Sequence, residues 1–520
     1  MNDVRLEWRQ YRFLPYERDF ARREAESVFQ SRAIGDEACL RVPARAFHDA
    51  RAERLTYFAR VVSPNGRSVI PRQTQLEETA HVGRRVIRQS TRYSAHGLHE
   101  YKGKFNPQIV RAIGNIIGLS EDSWVLDPFC GSGTTLLECA HTGWNATGLD
   151  RNPLAIHIAN AKLAAIRNAE RLLDQMGPLV DELSKYAGLS GIAEIPKSRF
   201  SRHLGDDWME DLPAFDYLRS WFPLPVLAQV VAVLRTVRTS VRNRSDRSVF
   251  EVILSDCVRA SSLQEPADLR IRRRKDAQPN YPILEWFIEA VQEQLPRIAR
   301  ARNALGRITS SQNAVLGDNR ELHGQIAKRR FDAVITSPPY ETALPYIDTQ
   351  RLSLVLLGHI PPTAIQSTEQ ALTGARDISP RERRDIEAHI VAGDAALPRE
   401  VVDLCRELLG ALAKKENGFR RRNRPALVYR YFHNMAKFFT SLRNVTTPGA
   451  KVALVVGPSR TTLSGKEFII DTPGLLGLVG EHCGFKLSMT VPMNTYPRYD
   501  LHQRNSIGSE VLTVLNAPSR

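Results

Sequence analysis

The sequence predicts an α/β protein: a mostly parallel sheet, a large helical insertion and a small N-terminal α+β region. Three observations predict it. SWVLD at 123–127 reads as a strand, CGSG at 130–133 as a tight turn, residues 132–141 as a helix, and a second strand ends at Asp150. Strand, crossover helix and strand make a βαβ unit of a parallel sheet. Apolar runs of strand length recur at 314–318, 331–335, 451–456, 485–491 and 510–515, with helical stretches at 345–358, 380–416 and 427–444. Between these two groups, residues 153–186, 224–245, 248–262 and 282–303 carry apolar residues at i, i+3 and i+4. That stretch is far too long for one crossover, so 165–310 is read as a helical insertion.

Taken in order, residues 1–90 are Arg-rich and mix short apolar runs (WRQYRFL, LTYFARVV) with a helical pattern from residue 18, which predicts the small α+β unit. Residues 91–164 and 311–520 are then expected to form the main α/β domain, split by the insertion. No apolar run is long enough to span a bilayer and no basic-then-apolar leader opens the chain, so a cytoplasmic protein is expected. The six cysteines are scattered without a CxxC pair, which points to neither a zinc site nor disulfides.

Lys and Arg number 72 against 57 Asp and Glu, a net charge of +15. Such a field attracts polyanions, and nucleic acid is the expected partner. Two clusters concentrate it: Arg270, Arg272, Arg273, Arg274 and Lys275 in LRIRRRK, and Arg420, Arg421 and Arg422 in FRRRNR. Both are candidate contacts to a phosphate backbone, and each reads equally well as a solvated helix edge.

Two motifs carry the chemistry. In DPFCGSGTT (127–135) the glycines let the backbone approach a ligand at the carboxyl end of a strand, where open α/β sheets bind ligands. The Gly-Lys-Ser/Thr of a phosphate-binding P-loop is absent. Asp150, ending the next strand, is placed to accept bonds from ribose hydroxyls. ITSPPY (335–340) ends a buried strand with two prolines, which lack N–H groups and force a stiff exit.

DPFCGSGTT followed by GLDRNP, then GD, then TSPPY, resembles the amino-methyltransferases that move a methyl group from S-adenosyl-L-methionine to an exocyclic base nitrogen. HGLHEYKGKFNPQ (96–108) is similar to the segment before the loop in a subset of them, with Lys102-Gly103 where Pro-Ala is usual. The resemblance covers residues 93–160 and 314–358, and 427–516 by strand order.

It implies a Rossmann-like methyltransferase sheet with an antiparallel last strand. It gives Asp127 the methionine ammonium, the amides of Gly131, Ser132 and Gly133 and the hydroxyl of Thr134 the methionine portion, Asp150 the ribose and Asp318 the adenine N6. Phe105 and Phe129 would pack near the cofactor, and Lys102 or Lys104 would meet its carboxylate. Ser337 and the carbonyl of Pro338 would accept bonds from the target amine, with Pro339 stiffening the exit and Tyr340 stacking on a base flipped out of double-stranded DNA.

A Ser before the prolines favours cytosine N4, with adenine N6 as the alternative. Two further readings are a tRNA guanine-N2 enzyme and a nucleic-acid-binding protein with a vestigial site. The resemblance places target recognition in the insertion and admits a cognate restriction endonuclease or defence system as partner. It requires no metal: His96 and His99 lack neighbouring ligands in sequence, and Cys130 reads as a small filler. Tyr496, Arg498 and Tyr499 are placed in a loop over the site.

Overall fold

Residues 3–69 build a five-stranded sheet from β1 (Asp3–Trp8), β2 (Ile34–Gly35), β3 (Cys39–Pro43), β4 (Phe58–Val62) and β5 (Ser68–Val69), in the order β2-β3-β1-β4-β5. All its pairings are antiparallel. Val4, Leu6 and Trp8 alternate inward along β1 and share a core with Phe20, Ala25 and Phe29 of the helix Pro15–Phe29. The computed structural model describes residues 3–36, 38–80, 89–189, 197–268, 271–326, 329–341, 344–412, 419–494 and 509–519, with the side chains of 197–199 and 419–420 excepted.

The main sheet contains β6 (Trp124–Asp127), β7 (Asn145–Asp150), β8 (Gln312–Leu316), β9 (Phe331–Thr336) and β10 (Thr446–Val456). After a hairpin of β11 (Ser459–Leu463) and β12 (Lys466–Ile470) it is completed by β13 (Lys486–Asn494) and β14 (Ser509–Asn516). The order is β13-β14-β10-β9-β6-β7-β8. β6 to β10 run parallel, and β14 runs antiparallel to both of its neighbours. The Rossmann-like sheet with a reversed last strand is therefore present. Buried runs such as Ala333 to Thr336 reflect coverage on both faces.

On one face the helix Pro107–Ile116 lies between the sheet and the N-terminal unit, and Ile109 and Ile113 join Ile335 and Val455 in the core that also holds Val4 and Leu6. On the other face the helices Arg424–Leu442 and Thr472–His482 cover Val452 and Leu454. Between β7 and β8 the helices Leu224–Ser240, Arg244–Val258 and Ile283–Leu305 pack with Pro153–Arg167 in a third cluster. Among the described residues no helix is long and apolar enough to cross a membrane.

Local chemistry accounts for the differences from the sequence reading. The helix after the glycine-rich turn starts at Thr134 rather than 132, because Gly133 is left-handed at φ +76°. β8 ends at Leu316, not 318, because Asp318 turns away to cap the short helix Asn319–Glu321. The stretch 380–416 is two helices, Pro380–Ala392 and Arg399–Ala411, separated by left-handed Gly393 and by Pro398. The β11–β12 hairpin was not foreseen.

Candidate active site

The carboxyl ends of β6, β7, β8 and β9 converge. Gly131 sits at φ +47°, and a Cβ there would stand 3.3 Å from the Tyr101 ring. Its amide donates to Asp150 Oδ2 at 2.9 Å, and the Asn152 amide donates to Asp150 Oδ1 at 2.9 Å. Asn152 in turn caps the helix Pro153–Arg167 by accepting from the Leu154 amide. Asp150 is thus held with lone pairs to spare, and burial raises its pKa while these amide bonds oppose the shift.

A cavity of about 620 Å³ opens here, lined by Tyr101, Phe129, Gly131, Asp150, Asn319 and Ser337 among others. A second, of about 1250 Å³, is lined by Lys104, Phe105, Pro338, Tyr340, Arg376 and Glu510 among others. Gly103, Ser337, Pro339 and Tyr346 line both. The exit from β9 is therefore a wall shared by two cavities, the first carrying Tyr101, Phe129 and Tyr346 and the second Phe105, Tyr340 and Tyr346.

The structure brings Phe129, Gly131, Asp150, Ser337 and Pro339 to the first cavity, and Lys104, Phe105, Ser337, Pro338, Pro339 and Tyr340 to the second. Other expected contacts stand elsewhere. Ser132 is buried, with its carbonyl and hydroxyl both accepting from the buried Lys162 Nζ at 3.0 and 3.1 Å. Gly133 serves packing, since a Cβ there would lie 2.7 Å from Ala159 Cβ, and Thr134 is buried as the first helical residue. Lys102 pairs with Glu100 outside both cavities.

Asp318 departs most from expectation. Its carboxylate is held by Arg151 and by Arg320, the latter at 2.7 Å, and lies below the ordinary carboxylate range because these guanidinium bonds outweigh burial. Asn319 reaches the cavity in its place.

Asp127 lies beneath the first cavity rather than in its wall. It is 3% exposed, and its Oδ1 accepts from the Thr336 hydroxyl at 2.6 Å and from the Phe129 amide at 3.2 Å. That bond ties the ends of β6 and β9 together. Burial raises its pKa to about 6 from an ordinary 3.8. Between those values the folded chain binds more protons than the unfolded one, so stability falls as pH rises from about 4 to about 6. Asp127→Asn keeps an Oδ1 acceptor, and urea unfolding at pH 4 and pH 7.5 is expected to show the variant gaining about 2–3 kcal/mol on the wild type at the higher pH.

Behind the second cavity the Tyr340 hydroxyl donates to Glu510 Oε1 at 2.9 Å, which fixes the ring from β14. The adjoining Glu341 is fully buried and receives Arg424, Ser459 and, at 3.4 Å, Thr472. On the far side of the loop Glu138 forms a hub. Its Oε1 accepts from Tyr93 (2.7 Å), His96 Nε2 (2.8 Å) and His141 Nδ1 (2.9 Å), and its Oε2 from Arg111 (3.1 Å).

His96, Glu138 and His141 lie close enough to hold a metal ion. Four donors already use the carboxylate, however, and one is a guanidinium beside which a second cation would be repelled, so the donor set fits a hydrogen-bond hub. Burial keeps both histidines below their ordinary pKa, while Glu138 stays well below the carboxylate range because Arg111 and the His141 donor overcome its burial. His99 is separate, bonded to Ser255 and to the Glu100 carbonyl. Cys130 is a filler indeed: a Cβ on Gly148 would touch its Cβ at 2.7 Å.

The first basic run is partly committed to its own surroundings. Arg273 lies over Trp221 at 4.7 Å, Arg274 over Tyr281 at 5.1 Å, and Arg272 faces Asp268 at 3.7 Å, while Lys275 is exposed. The Ile271 amide donates to Asp348, which ties the run to the helix Tyr346–Leu356. Arg421 and Arg422 are exposed. Arg270, the Arg420 side chain, Tyr496, Arg498 and Tyr499 lie outside the described residues.

Sequence reasoning missed Asn152, Asn319, Tyr346 and Glu510. Asn152 had a signal in the DRNP helix start; the others reach the site only through tertiary structure.

A glycine-rich turn, an acidic strand end and a stiff proline exit around two cavities with a shared wall are the arrangement that the sequence resemblance expects of an S-adenosyl-L-methionine-dependent methyltransferase. Residues 84–161 match the N6/N4 methyltransferase family model described as DNA methylase. The chain is 39% identical over 102 residues to the Type II methyltransferase M.MjaII of Methanocaldococcus jannaschii, 18% of each chain. It is 26% identical over 450 residues to the Type II methyltransferase M.BsoBI of Geobacillus stearothermophilus, covering 79% of this chain and 83% of that protein. Against the Type II methyltransferase M.MvaI of Kocuria varians it is 24% identical, covering 51% of this chain and 58% of that protein. A likeness to a solved S-adenosylmethionine-dependent methyltransferase of Methanosarcina mazei, at 10% identity and a TM-score of 0.26, is too slight to bear on the reading. Over residues 84–161 the chain thus resembles the DNA amino-methyltransferases of the N4/N6 family.

Proposed function

We propose that this chain methylates the exocyclic N4 amine of cytosine in double-stranded DNA, with the base flipped out of the helix. The observation that carries the proposal is that Ser337 and Pro339 line both cavities, so an amine held at this exit faces a donor in the first cavity. S-adenosyl-L-methionine supplies a methyl group on a positively charged sulfur, an electrophile that needs neither metal nor covalent nucleophile.

The residues have the remaining tasks. Asp150 offers lone pairs to ribose hydroxyls, and Asn319 lines the same cavity. Ser337 Oγ and the Pro338 carbonyl accept the two amine hydrogens, localising a lone pair that the ring otherwise delocalises. Tyr340 stacks on the base, and Glu510 keeps its ring in place. A neutral hydroxyl both donates and accepts, which suits cytosine's N4 beside N3. Arg272, Arg273, Arg274 and Lys275, with Arg270, are the proposed phosphate contacts, and Arg420, Arg421 and Arg422 a second group. The Type II names of the relatives extend the proposal to a cognate endonuclease acting at the same sequence.

The test is transfer of labelled methyl from S-adenosyl-L-methionine to duplex DNA and to tRNA in parallel. Label is expected in DNA, and label confined to tRNA overturns the proposal.

A further inference from the structure

Tyr346, the first residue of the helix Tyr346–Leu356, was assigned no role by the motifs. Tyr346 is among the residues that line both cavities. Tyr101, which lines the first cavity, lies beside it with ring centroids 6.1 Å apart and planes 13° from parallel. Two features hold the pair. Tyr101 is packed over Gly131, where any Cβ would meet its ring, and the Tyr346 hydroxyl stands 3.1 Å from where a Cβ on Gly103 would be. Both rings thus lie close against glycines, Tyr346 and Gly103 in the wall the two cavities share and Tyr101 and Gly131 in the first cavity.

Resting on the proposed function, we infer that Tyr346, backed by Tyr101, forms an aromatic wall that holds the sulfonium charge of S-adenosyl-L-methionine and follows it during transfer. In that transfer the S–CH3 bond breaks and an N–CH3 bond forms. The sulfur keeps the electron pair and becomes a neutral thioether, and the amine nitrogen carries the positive charge until it releases a proton to water. A ring face attracts a cation more strongly than it does a neutral thioether. Because Tyr346 borders both chambers, the same face serves the sulfur before transfer and the nitrogen after it.

This contact makes a prediction that packing alone does not. S-adenosylmethionine and S-adenosylhomocysteine differ by the methyl and its charge, so only the first should depend on the ring. Calorimetric titration of both into wild type, Tyr346→Phe and Tyr346→Leu is the experiment. Tyr346→Phe is expected to bind both like wild type. Tyr346→Leu is expected to weaken S-adenosylmethionine about 10- to 30-fold and S-adenosylhomocysteine by less than about 3-fold. Retained S-adenosylhomocysteine binding also shows that the variant is folded. Equal weakening of the two ligands overturns the aromatic wall while leaving the methyltransferase reading intact. Failure of the wild type to bind either ligand overturns both.

Discussion

Tyr340→Ala is expected to lower kcat/KM for methyl transfer to DNA by about 100-fold, with the S-adenosylmethionine dissociation constant within about twofold of wild type. Stacking of one base on an aromatic ring contributes about 1–3 kcal/mol, and the ring lost here lines the second cavity alone. Tyr340 is also anchored rather than free, through its bond to Glu510. The check is steady-state kinetics with a duplex substrate beside calorimetry with the cofactor. A parallel loss of cofactor affinity would mean that the two cavities are not separate sites.

Glu138→Ala is expected to destabilise the fold by about 3–5 kcal/mol, read as a lower urea midpoint with the slope unchanged. The substitution leaves Arg111, 1% exposed, without its hydrogen-bonded carboxylate, and strips Tyr93, His96 and His141 of their common acceptor. Glu138→Gln, which retains one acceptor oxygen, should fall between. Since no metal is required by this hub, chelator should leave the wild-type midpoint where it is. A loss below about 1 kcal/mol for Glu138→Ala would contradict the hub.

Much of the site was legible because its signals are local. A strand, a glycine turn and a helix over residues 123–142 fix where Gly131 stands, and the next strand end fixes Asp150. Two prolines after β9 mark the exit whatever the rest of the chain does. The parts that were not legible depend on distant partners. Asp318 has the place in sequence that the resemblance requires, but Arg151, at the end of another strand, and Arg320 take its carboxylate. Ser132 and Gly133 sit inside the turn, yet Lys162 and Ala159 on the following helix turn them to packing. Glu510 and Tyr346 carry no motif at all. They matter because β14 and the helix Tyr346–Leu356 return to the mouth of the second cavity. The N-terminal sheet, seen only as weak apolar runs, has a clear physical reason: its core continues into the helix Pro107–Ile116 and the main sheet.

The central claim is methylation of an exocyclic amine at the Ser337 exit, with cytosine as the base. Its most direct measurement is mass spectrometry of the nucleosides released from duplex DNA after incubation with the chain and S-adenosylmethionine bearing a trideuterated methyl group. N4-methyldeoxycytidine carrying the three deuteriums is the predicted product. Deuterium in N6-methyldeoxyadenosine would contradict the choice of base, and label on a ring carbon or in no nucleoside would contradict the amine clamp itself.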